Sequence, residues 1–274
     1  MNKFMAAAVQ MTSTDDVERN TARAIELIGE AADRGAVLIG LPEVWPCIRT
    51  GHNAPPEPMS LDDGPFARLR ELCRDRKITL VAGTIPERGP GERVYNTCAV
   101  IGPAGGIIDK YRKIHLYDVD IPGGVTHMES KHVAPGDRAV VVQTEHCPVG
   151  LTVCYDLRFP ELYRLLARRG ARVIFTPAAF MLYTGKDHWV PLLRARAIEN
   201  LAYIVAPGQF GNHNEKRASY GKSLIVDPWG NVLATAPDRE SVAVAEIDLD
   251  AQDEIRRQLP ALDHLQDWLF KEKS

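Results

Sequence analysis

Short, β-rich apolar runs alternate with amphipathic helical stretches along the whole chain, and no Pro/Ser-rich linker interrupts them. Lys3–Met11 reads as a strand, and Asp16–Arg34 as a helix with Ala22, Ile25, Leu27, Ile28 and Ala31 along one side. Ala36–Leu41 is an apolar run that halts at Pro42, as a buried strand does. After the irregular, Pro-rich stretch Trp45–Asp63, the pattern predicts a helix over Pro65–Arg76 and strands over Ile78–Gly83, Tyr95–Ile101 and Ile107–Tyr111. Lys113–Arg138 is long and Gly/Pro-rich, which predicts a functional loop. Strands follow at Ala139–Thr144 and Val149–Val153, then a helix from about Pro160 and a strand at Val173–Thr176. A helix over His188–Asn200, a strand at Ala202–Ala206, two or three strands near Ser223–Thr235 and Val242–Ile247, and a helical tail from Leu249 complete the order. Such interleaving predicts an α/β fold whose sheets are covered by helices. A single domain over residues 1–274, with 45% of them hydrophobic, buries a sizeable core without disulfide staples. The turns Gly102–Gly106 and Asp227–Asn231 stand in similar settings, a faint sign of pseudo-symmetry.

A net charge of −3 gives no electrostatic footprint for nucleic acid or an anionic membrane. The basic clusters Arg68/Arg70/Arg74/Arg76/Lys77 and Arg164/Arg168/Arg169/Arg172 fall at helical spacing among acids, and read as solvated helix faces. No apolar run approaches the roughly 20 residues of a membrane helix. Phe4–Val9 imitates a signal peptide only faintly, stopping at Gln10 without a cleavage site. Five cysteines without a C-x-x-C pair predict a reducing, cytoplasmic address.

Three reactive side chains follow predicted strand ends, where α/β sheets gather their ligand sites: Glu43, Lys113 and Cys154. A thiol attacks a carbonyl or nitrile carbon as thiolate, and a neighbouring carboxylate can take its proton, return it to the leaving amine, and later activate water. An ammonium, with the backbone N–H of Tyr155, could hold the oxyanion of the tetrahedral intermediate. A Cys154–His115 pair is the competing arrangement, since His115 lies two residues from Lys113.

The words around these residues are informative. Leu41-Pro42-Glu43, Tyr111-Arg112-Lys113-Ile114-His115-Leu116 and Cys154-Tyr155-Asp156-Leu157-Arg158-Phe159-Pro160-Glu161 resemble the three signature segments of the nitrilase (carbon–nitrogen hydrolase) superfamily. Their order matches the family's, with the reactive residues 70 and 41 positions apart. The likeness continues through His188-Trp189, Arg194–Asn200 and Asp227-Pro228-Trp229-Gly230. It implies a four-layer αββα sandwich that pairs through its helices into a homodimer or larger homo-oligomer, with residues from about 249 onward at the subunit interface. It also implies Glu43 as general base and acid, Lys113 as electrostatic stabiliser and Cys154 as nucleophile. Glu129 matches a second pocket glutamate that orients the substrate or the lysine.

Within the family, Tyr111–Gly136 resembles the omega-amidase and deaminated glutathione amidase branches, and Gly211–Ser223 resembles the second more closely. The implied reaction is cofactor-free hydrolysis of a small amide through a Cys154 thioester, releasing an amine or ammonia. The resemblance favours deaminated glutathione as substrate; omega-amidase activity on 2-oxoglutaramate, nitrile hydrolysis and a non-catalytic binding role are the alternatives. A carboxylate-bearing substrate needs a cation, for which Arg49 is a candidate, and Phe180 is a candidate wall of the pocket. Arg158, Arg194 and Arg196 read as holding loops or an interface together. Cys47, Cys73, Cys98 and Cys147 read as structural. No paired histidine spacing or Gly-rich phosphate loop is present, so neither metal nor nucleotide is implied.

Overall fold

The computed structural model describes residues 2–49, 57–120, 126–215 and 217–266. The first half begins with β1 (Lys3–Met11), α1 (Val17–Asp33), β2 (Ala36–Gly40), α2 (Gly64–Arg76) and β3 (Thr79–Val81), its strands parallel. Antiparallel strands β4 (Ile85–Arg88), β5 (Val94–Ile101) and β6 (Ile107–Arg112) extend that sheet. The predicted loop Lys113–Arg138 is instead partly ordered secondary structure. It carries the hairpin β7 (Asp118–Asp120) and β8 (Thr126–Met128), a 3-10 turn at Glu129–Lys131, and β9 (Val133–Ala134) paired to β5.

The second half runs β10 (Val141–Gln143), β11 (Pro148–Leu151), a 3-10 helix at Cys154–Arg158, α3 (Pro160–Arg168), β12 (Val173–Phe175), α4 (Leu182–Asn200) and β13 (Tyr203–Ala206). Then come β14 (Gly208–Asn212), β15 (Ala218–Tyr220), β16 (Leu224–Val226), β17 (Val232–Thr235), β18 (Ser241–Asp248) and α5 (Leu249–Gln258). One sheet has the order β15-β14-β1-β2-β3-β5-β4, with β18 lying antiparallel along β1. The other has the order β10-β11-β12-β13-β16-β17. Each half contains three parallel strands joined by two helices and followed by a hairpin, β5–β6 or β16–β17. The two turns noted in the sequence close those hairpins.

Alternation along β1 shows how the layers form, because successive side chains point to opposite faces. Ala7, Val9 and Met11 pack with Ala24, Leu27 and Ile28 of α1 and Leu69 and Cys73 of α2. Phe4, Ala6 and Ala8 face the other way, into the core shared with Val149, Leu151 and Phe175 of the second sheet. Leu162, Tyr163 and Leu166 of α3 and Trp189 and Leu193 of α4 cover that sheet's far side. The result is a helix–sheet–sheet–helix sandwich. Gly40 lets the sheets close, since a Cβ there would lie 2.7 Å from the Phe175 ring. Arg172, read as part of a solvated face, is instead an anchor for α5: its Nε donates to Gln252 Oε1 at 2.6 Å and an Nη to the Leu249 carbonyl at 2.9 Å.

Candidate active site

Glu43 sits three residues beyond β2 in a loop held on all sides. The Val44 N–H donates to Thr84 Oγ1 (2.8 Å), the Trp45 indole N–H to the Ala82 carbonyl (2.8 Å), and Gln209 Nε2 to the Glu43 carbonyl (3.1 Å). Ser13 Oγ donates to the Trp45 carbonyl at 2.8 Å. Gly83 is required beneath this loop. Its φ is +54°, and a Cβ would stand 2.1 Å from the Pro42 carbonyl oxygen.

Lys113 follows β6 and is anchored at both backbone groups. Its N–H donates to the Asn96 carbonyl (2.9 Å), and its carbonyl accepts from Gly136 N–H (2.8 Å). The buried Nζ bridges two carboxylates, Glu43 Oε1 at 3.0 Å and Glu129 Oε2 at 2.8 Å. Asn96 Nδ2 ties the same pair together from 2.9 Å and 3.3 Å. Backbone N–H groups finish the arrangement, Ala179 donating to Glu43 Oε2 (2.9 Å) and Tyr117 to Glu129 Oε2 (2.7 Å). A buried ammonium and two carboxylates are tolerable only when satisfied in this manner.

Cys154 does not end a strand, as its sequence position suggested. β11 stops at Leu151, and Cys154 is the first residue of a 3-10 helix, with φ of +47°. A non-glycine residue in the left-handed region persists only where its surroundings over-determine it. Its N–H donates to the Pro177 carbonyl (2.8 Å) and that of Asp156 to Val153 (3.0 Å), leaving the Tyr155 N–H as the open donor of this turn among the described residues. The Glu43 carboxylate is the neighbouring charge that bears most on the thiol, and both line the same cavity.

The protonation states follow from these contacts. Burial raises the Glu43 carboxyl, but the Lys113 charge, the neighbouring Cys154 thiol, the Lys113 hydrogen bond and the Ala179 N–H outweigh it, holding Glu43 below its ordinary value. Burial lowers Lys113, and Glu129 and Glu43 overcome that and hold it well above its ordinary value. Burial, and then the Glu43 charge, raises the Cys154 thiol well above its ordinary value, with Lys113 opposing. At neutral pH the resting site is therefore carboxylate, ammonium and neutral thiol, with a proton acceptor beside the thiol.

All seven residues singled out from sequence, Glu43, Arg49, Lys113, Glu129, Cys154, Tyr155 and Phe180, line one cavity of about 950 Å³. Arg49 stands at its wall paired with Glu57 (3.0 Å), and Phe180 packs on Trp189, ring centroids 5.1 Å apart. Arg158 requires a correction: rather than holding a loop, it lines the cavity, its guanidinium 5.7 Å from the Tyr155 ring centroid and 5.3 Å from that of Phe180. Arg194 and Arg196 do hold loops, donating to the Gly230 and Leu157 carbonyls. Cys47 also lines the cavity, while Cys73, Cys98 and Cys147 are buried. His115 is engaged with Asp156 (2.7 Å) and stacked on Phe159, and it does not line the cavity, which disfavours the Cys–His arrangement. Sequence reading missed Asn96, Tyr117 and Arg217. Only Asn96 left a signal, a polar side chain within the apolar run of β5. Among the described residues, no group of three His, Cys, Asp or Glu side chains could hold a metal.

Known proteins are similar to this chain over nearly all of its length. A deaminated glutathione amidase of Synechocystis sp. is 42% identical over 268 residues, covering 96% of this chain and 98% of that one. Human omega-amidase NIT2 is 40% identical over 263 residues, covering 95% and 94%. The Caenorhabditis elegans NitFhit protein superposes with a TM-score of 0.91 at 38% identity, covering 99% of this chain and 67% of that one. An amidase of Nesterenkonia sp. AN1, 25% identical with a TM-score of 0.79 and coverages of 99% and 97%, carries in one mutant structure the acetamide moiety of fluoroacetamide on its active-site cysteine. The carbon-nitrogen hydrolase model matches residues 5–257, and the chain belongs to that family of enzymes.

Proposed function

We propose that this carbon–nitrogen hydrolase is a thiol amidase acting on deaminated glutathione. The observation that carries the mechanism is Glu43, whose carboxylate pairs with the Lys113 ammonium at 3.0 Å and lines, with Cys154, the same cavity. Glu43 takes the thiol proton as Sγ bonds to the amide carbon, and the carbonyl π-pair moves onto oxygen. Lys113 Nζ and the Tyr155 N–H receive that oxyanion, where losing one such donor typically costs about 10²–10³ in kcat. Collapse of the intermediate breaks the C–N bond while Glu43 returns its proton to the leaving amine. Water, deprotonated by Glu43, then cleaves the thioester.

The substrate reading rests on the cavity wall. Arg158 and Arg217 both line it, and neither has an ion-pair partner among the described residues. A substrate with carboxylates near and far from the scissile amide suits that pair, and about 950 Å³ accommodates a tripeptide-sized molecule. Deaminated glutathione has those features, whereas 2-oxoglutaramate has one carboxylate and occupies less of the space. The relatives named for the two substrates differ little in similarity, 42% against 40% identity, so assay decides. Release of cysteinylglycine from deaminated glutathione should exceed ammonia release from 2-oxoglutaramate in kcat/KM, and both should vanish in Cys154→Ala. The reverse preference would move the enzyme to omega-amidase activity, and activity surviving in Cys154→Ala would overturn the thioester route.

We also infer a homodimer through the α3–α4 face. Leu165, Tyr183, Ile198 and Trp229 stand exposed there, the last carried on the turn that packs against Ile198.

A further inference from the structure

Asp156 is wholly buried, and its carboxylate touches neither lysine nor arginine among the described residues. Four donors satisfy it instead. Oδ2 accepts from the Val153 N–H (2.8 Å) and the Tyr111 hydroxyl (2.7 Å), and Oδ1 from the His115 N–H (3.1 Å) and Nδ1 (2.7 Å). Because a carboxylate only accepts, Nδ1 of His115 carries the proton. These donors come from two places. Tyr111 and His115 flank Lys113, while Val153 and Asp156 flank Cys154. The Tyr111 oxygen also accepts from the Ile114 N–H (3.2 Å), and the His115 ring lies on Phe159 with centroids 3.6 Å apart and planes within 6°. Phe159 closes the 3-10 helix that Cys154 opens, so that helix is gripped at both ends by the lysine segment.

A helix cap for Val153 alone needs one oxygen, and an uncharged residue could supply it. The second oxygen serves only the segment carrying Lys113. We propose that Asp156, through His115 and Tyr111, is a positioning residue that sets the Cys154 thiol in register with the Lys113 ammonium and holds the strained Cys154 backbone. The proposal rests on the roles given above to Cys154 and Lys113. Thiol and ammonium must meet one carbonyl, Sγ at its carbon and Nζ at its oxygen. A displacement of about 1 Å in such geometry can cost on the order of 10²-fold in rate.

Its test turns on the partly exposed His115, where substitution leaves the core intact. His115→Leu removes the Nδ1 donor, whereas His115→Asn places an amide N–H near the same point. His115→Leu should keep KM within about threefold while kcat falls about 10- to 100-fold. Alkylation of Cys154 by iodoacetamide should slow in the same variant, and His115→Asn should restore most of both rates. Asp156→Asn should resemble His115→Leu in both assays. If wild type hydrolyses neither amide yet alkylation follows this order, the substrate reading fails and the positioning role stands. Folded His115→Leu with wild-type kcat and alkylation, or with only KM raised, would overturn it.

Discussion

At Glu43, one side chain combines burial, a neighbouring cation and a neighbouring thiol, and each element of that environment comes from a different part of the chain. Glu43, Lys113, Cys154 and Glu129 were legible because the words around them resemble the signature segments of a known family. Asn96 and Arg217 were not, since what they face is decided by how distant segments meet. Arg158 stood in a recognised word, yet its direction into the cavity depends on Tyr155 and Phe180. His213 was silent in sequence for the same reason. Its Nδ1 meets the Ser13 carbonyl and its Nε2 meets Ser219 Oγ, both at 2.9 Å, and burial lowers its pKa to about 4. The unfolded chain binds a proton at this ring below about 6.5 while the folded chain stays neutral until about 4. Stability therefore rises with pH across that window and is fully present above it, an effect of up to about 3 kcal/mol. Urea midpoints measured from pH 7 to pH 4 should fall in wild type and fall less steeply in His213→Gln. Parallel curves would show that another group carries the dependence.

At the scale of the element, helices and long strands were readable from period, and short polar strands were not. β4 contains a proline and β14 two glycines, so neither shows apolar alternation, and both exist because a neighbour offers a ladder of hydrogen bonds. α4 begins at Leu182, six residues before its expected start at His188, and includes Gly185, a residue that disfavours helix. Tertiary packing overrides that preference. A Cβ at Gly185 would fall 2.4 Å from the Cβ of Tyr220, so the glycine admits β15 against the helix. Replacing a mid-helix glycine by alanine ordinarily gains up to about 1 kcal/mol. Here Gly185→Ala should instead lower stability by about 1–3 kcal/mol, as overpacking does, and a raised denaturation midpoint would refute the close approach.

For the whole molecule, the α/β class followed from interleaving, but the division into two sheets did not, because periodicity carries no record of which strands pair. The faint pseudo-symmetry of two turns became a repeated arrangement of three parallel strands and a hairpin. The proposed dimer belongs to this scale. Light scattering should give about twice the chain mass, and Tyr183→Glu with Ile198→Glu should return it to one chain, whereas an unpaired wild type would end that proposal.

The partnership of β1 with β18 reaches further. Lys3 lies opposite Asp248, and the pairing runs unbroken to Gln10 opposite Ser241, so β1 finds this neighbour only after the long stretch of chain between them has been made. During synthesis on a ribosome, the amino-terminal sheet must wait with that edge open. The reactive thiol at Cys154 emerges well before its surroundings can close. Functional birth of the enzyme is thus tied to the arrival of β18, and a polypeptide stopped short of it would carry every chemical group of the site without the frame that makes them act together.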